Sequence, residues 1–148
     1  MKPNFVYVIW IQSTAAKVFE ALRDPEMTKD YWGRSRNVSD WQQGSDWSNE
    51  SYDDPKVVDV KGKVIEIDPP TRLVLGWETS MPTHVTSTVT FVLEEQFGSV
   101  KLTVTHEGLP PGPALEMASM GWTSILSSLK TLLETGHAMP QTMRRWGR

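Results

Sequence analysis

The chain has 148 residues, with 15 Lys plus Arg against 18 Asp plus Glu, a formal net charge of -3 and no cysteine. That length fits one domain with its own core, and the weak, dispersed acidic balance disfavours a nucleic-acid partner. The absence of cysteine excludes a disulfide framework, thiol catalysis and cysteine-ligated zinc, and it suits the cytoplasm.

Phe5 to Ile11 reads as a buried first strand. Lys2, this apolar run and Ser13-Thr14-Ala15-Ala16 have the outline of a signal peptide. The run, however, is at the short end of the ~7–15 residues such segments use, it is β-branched and aromatic, and a capped helix follows it. Ser13 or Thr14 caps that helix, in which Val18, Phe19 and Leu22 share a face. Asp24-Pro25-Glu26 starts a second short helix: a capping carboxylate, a proline where no N–H is needed, and an acid at the positive end of the dipole. Gly33 is its expected stop after Tyr31-Trp32.

From Ser35 to Glu107, breaks at Gln42-Gln43-Gly44, Asp53-Asp54-Pro55, Asp68-Pro69-Pro70, Met81-Pro82 and Gln96-Phe97-Gly98 delimit six further strands. The clearest alternations are Leu73, Leu75, Trp77; Val89, Phe91, Leu93; and Leu102, Val104, His106. After Gly108 to Pro113 the period becomes helical, with Leu115, Ala118, Trp122, Ile125, Leu126, Leu129, Leu132 and Leu133 on one stripe that ends near Gly136. No apolar run approaches the roughly 20 residues of a membrane span. These elements predict an α+β fold. A curved seven-stranded antiparallel sheet wraps a long C-terminal helix, with two short helices after the first strand. Residues 1–139 form the expected domain, and 140–148 a basic, disordered tail.

Several of these stretches carry a resemblance. They are Val6 to Trp32 with Asp24-Pro25-Glu26 and Tyr31-Trp32-Gly33, then Gly62, Val64 and Glu66 before Asp68-Pro69-Pro70, and the strands Leu73 to Trp77 and Val89-Thr90-Phe91. Thr105-His106-Glu107-Gly108 and Gly121-Trp122 complete the set. Together they resemble bacterial proteins of the AHSA type, similar to the C-terminal domain of the heat-shock-protein-90 ATPase activator, in the START-related SRPBCC superfamily. The resemblance implies the helix-grip fold shared with the birch-pollen allergen. It also implies a function drawn from lipid carriage, hormone reception, polyketide cyclisation or the stress response. The activator carries an additional N-terminal domain that these residues do not include, so ATPase stimulation is not the expectation.

Seven tryptophans exceed what an aliphatic core requires. Trp77 and Trp122 should meet across the domain, either as plain core or as the wall of a cavity that takes a flat aromatic, polyketide-like or lipid-like ligand. Trp32, Trp41 and Trp47 sit near loop edges, where they either form a cavity mouth or pack on the surface; Trp10 reads as core and Trp146 as tail. His106 points into the same space as Leu102 and Val104, where it either orients a ligand by a hydrogen bond or is a satisfied core histidine. The expected lining is thus Trp32, Trp41, Trp77, Phe91, Leu102, Val104, His106, Trp122, Ile125 and Leu126. Glu107 points to the other face of its strand, which weakens an acid–base pair with His106. Glu66 faces the cavity or, with a one-residue bulge, solvent. Met117 and Met120 fall off the helix stripe, as a pocket rim, an association surface or simply isolated surface methionines.

No catalytic constellation is identifiable, His84, His106 and His137 lack metal-ligand spacing, and neither a metal nor a cofactor is expected. Three functions remain open. The first is binding of a small hydrophobic ligand, by a monomer or weak homodimer in the cytoplasm. The second is a protein-interaction or chaperone-associated role through the outer sheet face or Met120. The third is a cyclase or hydrolase with His106 as general base.

Overall fold

The computed structural model describes residues 3–80 and 84–146. Strand β1 (Pro3–Ile11) leads into helices α1 (Ala15–Ala21) and α2 (Pro25–Tyr31). Strands β2 (Ser35–Ser39), β3 (Asp46–Ser51), β4 (Val58–Asp68), β5 (Arg72–Thr79), β6 (Val85–Gln96) and β7 (Ser99–Glu107) follow, and then helix α3 (Pro113–Thr135). All strand pairs are antiparallel, in the order β1-β7-β6-β5-β4-β3-β2, so the first strand closes one edge against the last. The expected break at Met81-Pro82 lies outside the described residues.

The helix ends follow local chemistry. The Thr14 hydroxyl accepts the Lys17 N–H (3.2 Å), and the Asp24 carboxylate accepts the Glu26 N–H (2.9 Å) ahead of Pro25. Gly33 (φ 65°) and Gly136 (φ 87°) take the left-handed conformation that ends α2 and α3. On β4 the pairing with β5 shifts between Val64 and Glu66, which buries Val64 and turns Glu66 outward to Arg72 (3.1 Å).

Three expectations are corrected. Trp10 is 44% exposed: β1 is apolar on both faces, and the inward positions are Phe5, Tyr7, Ile9 and Ile11, which leaves Val6, Val8 and Trp10 on the outer surface. Trp47 is 2% exposed and donates its indole N–H to the Gly76 carbonyl (2.7 Å). This contact lies where β4 and β5 bring Gly62 and Gly76 together, so closely that a Cβ on Gly62 would enter the Gly76 backbone. The segment 140–146 is not a loose tail. Pro140–Thr142 forms one turn of 3-10 helix, and Thr142 is fully buried.

Gly62→Ala is expected to lower the unfolding free energy by about 1–3 kcal/mol through overpacking. Gly121→Ala, in α3 with open space where the methyl would go, should raise it by about 0.5–1 kcal/mol. Urea denaturation of both variants checks this, and a Gly62→Ala protein as stable as the parent contradicts the close crossing.

Candidate functional site

Helical spacing on α3 turns Trp122, Ile125, Leu126 and Leu129 onto the sheet, and all four are buried. Trp77 rises from β5 to meet Trp122, with ring centroids 5.2 Å apart. Trp47 packs on the other side of Trp77 at 5.2 Å. Trp32, just past α2, approaches Trp122 edge-on at 5.6 Å, and Phe91 does the same from β6 at 5.7 Å. Trp32 also stacks on Trp77 (6.4 Å, 23° between planes), and with these tilted and edge-on contacts, which favour the ring quadrupoles, the five rings form one interlocked knot.

A polar relay runs through the knot. The Trp122 indole N–H donates to His106 Nδ1 (3.0 Å), His106 Nε2 lies 2.8 Å from the Ser87 hydroxyl, and that hydroxyl reaches the Trp77 carbonyl (3.2 Å). An indole nitrogen only donates, so Nδ1 accepts and the imidazole proton sits on Nε2. Nε2 then donates to Ser87 Oγ, and the Ser87 O–H donates to Trp77. Sheet register explains the chain: Ser87 pairs with Trp77 across β5 and β6, and Val89, two residues on, pairs with His106 on β7. Burial lowers the His106 pKa to about 4. Both ring nitrogens therefore already have partners, and the ring is neutral at pH 7.

Beside the knot lies a half-open cleft of about 190 Å³. Trp32, Trp77, Trp122 and Ile125 form its apolar floor, and Ala118 and Met117 of α3 its rim. Polar groups at the wall are few: Asn49, Thr79, Ser87 and Asp59. Of the residues the sequence singles out, the structure brings Trp32, Trp77, His106, Trp122 and Ile125 together at this cleft. Phe91, Leu102, Val104 and Leu126 lie in the solid core, closed off by neighbouring side chains. Trp41 packs against the core from the turn after β2, with φ 55°. Trp146, read with the tail, and Asp59, which the sequence does not single out, also line the cleft. Among the described residues, no group of three or more His, Cys, Asp or Glu could hold a metal ion, and no helix is long and apolar enough to cross a membrane.

Because the folded pKa of His106 is depressed, its contribution to stability is complete above the unfolded value near 6.5 and is lost as pH falls toward 4. The loss should reach about 2–3 kcal/mol. Unfolding free energies of the parent and of His106→Gln, measured from pH 7.5 to 4.5, check this; parallel curves contradict it.

The chain matches the family model described as Activator of Hsp90 ATPase homolog 1-like protein over residues 12–134. No relative among curated proteins matches it. Among solved structures, it is similar to the Aha1 dimer from Colwellia psychrerythraea, at 20% identity over 89% of this chain and 96% of that one, with a TM-score of 0.71. It is also similar to an Hsp90 activator from Plasmodium falciparum, at 22% identity over 88% and 95%, with a TM-score of 0.70. A third likeness is to DynU16, a protein of the dynemicin biosynthetic locus, at 20% identity over 90% of this chain and 48% of that one, with a TM-score of 0.70. At such identities these structures speak for the fold alone, which is the curved helix-grip architecture. The match from the end of β1 to the last turn of α3 identifies the chain as a member of the family of Activator of Hsp90 ATPase homolog 1-like proteins.

Proposed function

We propose that this protein binds a small apolar molecule, of one or two aromatic rings, in the cleft beside the tryptophan knot. The observation that carries the reading is an open space of about 190 Å³ floored by three indoles and an isoleucine. Its size narrows the ligand class. Sites for drug-sized ligands occupy roughly 300–1,000 Å³, whereas a dry cavity of about 150 Å³ holds a benzene ring. A tetracyclic polyketide or a fatty acid does not fit unless the rim moves; a phenol or a naphthol does.

Burying ~150 Å² of ligand surface contributes about 4 kcal/mol before the cost of association, so the dissociation constant is expected to be no tighter than about 1 mM. The affinity is modest because His106 and Ser87 spend their polar groups on each other and on the two tryptophans. The same relay weighs against catalysis by His106, since a general base needs a free lone pair and Nδ1 already receives the Trp122 N–H.

A second reading rests on a different observation. Val6, Val8 and Trp10 expose a continuous apolar stripe on the outer face of edge strand β1, a surface of the kind that docks another protein. Two of the similar structures are Hsp90 activators or Aha1 proteins by name, so a chaperone of that class is the partner this reading takes. A cytoplasmic location and a part in the stress response belong to it. Calorimetric titration with an Hsp90 chaperone should then show binding that Trp10→Glu abolishes; equal binding by that variant removes the stripe from consideration.

For the ligand reading, saturation-transfer NMR with millimolar p-cresol and 2-naphthol should give signals that disappear in Ala118→Phe, whose ring fills the cleft from α3. A tetracyclic compound should give none. Signals that survive Ala118→Phe unchanged place the binding elsewhere and overturn the proposal.

A further inference from the structure

The C-terminal segment crosses the mouth of the cleft, beyond the residues that the family model matches. Its peg is Thr142, whose carbonyl accepts the Gly33 N–H (2.8 Å). The Thr142 hydroxyl lies 2.7 Å from that of Ser128 and 2.9 Å from the Asp30 carbonyl. Past this peg the chain is held more lightly, because Met143 and Arg144 are exposed. Arg145 then makes a two-pronged ion pair with Asp59 on the cleft wall (2.7 and 3.0 Å). Trp146 lays its indole over Gly33, where any side chain would collide with it, and its ring lines the cleft.

We infer that Arg145 and Trp146 occupy the cleft mouth as an internal stand-in for the ligand, and that the ligand is a cationic aromatic molecule that displaces them. This rests on the ligand-binding reading and names its chemistry. The floor of Trp32, Trp77 and Trp122 offers π faces that favour both an aromatic ring and a nearby positive charge. Among the described residues, Asp59 is the one carboxylate in the lining, and its present partner is a cation carried next to an aromatic ring. A ligand with an ammonium group two or three bonds from its ring reproduces both contacts at once. An anionic aromatic instead meets an uncompensated carboxylate when Arg145 leaves. The exchange is feasible because a cationic ligand replaces one charge-assisted contact at Asp59 with another, and because the Asp59–Arg145 pair is within reach of solvent, 33% and 20% exposed at the two side chains. The peg at Thr142 remains in place, so among the described residues only 143–146 need to move.

The test uses the full-length chain and the double variant Arg145→Gln/Trp146→Ala, which vacates the mouth while keeping Thr142. Tryptamine and indole-3-propionate serve as probes of the same ring with opposite charge, titrated by ligand-observed NMR. Tryptamine is expected to bind the double variant at least tenfold more tightly than the parent, and at least fivefold more tightly than indole-3-propionate does. Adding Asp59→Asn should erase the preference between the two probes. Equal tryptamine affinity in parent and double variant, or a preference that survives Asp59→Asn, overturns the inference. If 2-naphthol still binds in that case, the cleft reading stands without it. If neither 2-naphthol nor tryptamine binds any of the proteins, both fall together.

Discussion

The indole N–H of Trp122 donates to His106 Nδ1 across the interface between α3 and the sheet, and this one bond fixes several things that sequence alone leaves free. It sets the tautomer of the imidazole, so Nε2 carries the proton and must find an acceptor, which Ser87 supplies. Ser87 passes the demand on to the Trp77 carbonyl. Three neighbouring strands and the long helix are thereby joined by polar contacts that are complete only when every member is present. Removing any one leaves a buried donor or acceptor without a partner, which costs about 1–3 kcal/mol apart from any lost packing.

The relay also limits what the site can do. A histidine with both nitrogens committed and a pKa lowered to about 4 neither accepts a proton from a substrate near neutral pH nor orients a ligand without breaking a bond. Polar recognition is left to the wall, where Asp59 stands, while the floor contributes apolar burial. The interlocking of Trp77 with Trp122 fills what would otherwise be a deep cavity between sheet and helix, and the residual space lies to one side. The small size of the cleft and the rigidity of its floor thus have the same origin.

Much of the architecture was legible because local rules and tertiary demands agree. Asp24-Pro25 and Gly33 bound α2 as capping chemistry requires, and strand and helix periods turned Trp77 and Trp122 toward each other. Trp10 was misread because Phe5 to Ile11 is apolar at every position, so alternation carries no information and only the pairing with β7 decides which face is buried. Trp47 looked like a loop-edge residue because its seat is made by two distant glycines, Gly62 and Gly76, whose missing side chains leave no local mark. The tail was illegible for a related reason: Thr142 is anchored by the Gly33 amide, the Asp30 carbonyl and Ser128, none of which is near it in sequence. The inward aim of His106 followed from strand alternation, but its partners did not, since they depend on the relative register of β5, β6 and β7.

The most direct measurement of the central interaction is the protonation of the two His106 ring nitrogens at pH 7, by long-range proton–nitrogen correlation NMR on the nitrogen-15-labelled protein. The Trp122–His106 bond requires a neutral ring with the proton on Nε2, an unprotonated Nδ1, and a coupling across the hydrogen bond from the Trp122 indole. A proton on Nδ1, or the spectrum of a charged imidazolium, contradicts it, because the indole would then face a donor and the relay could not form.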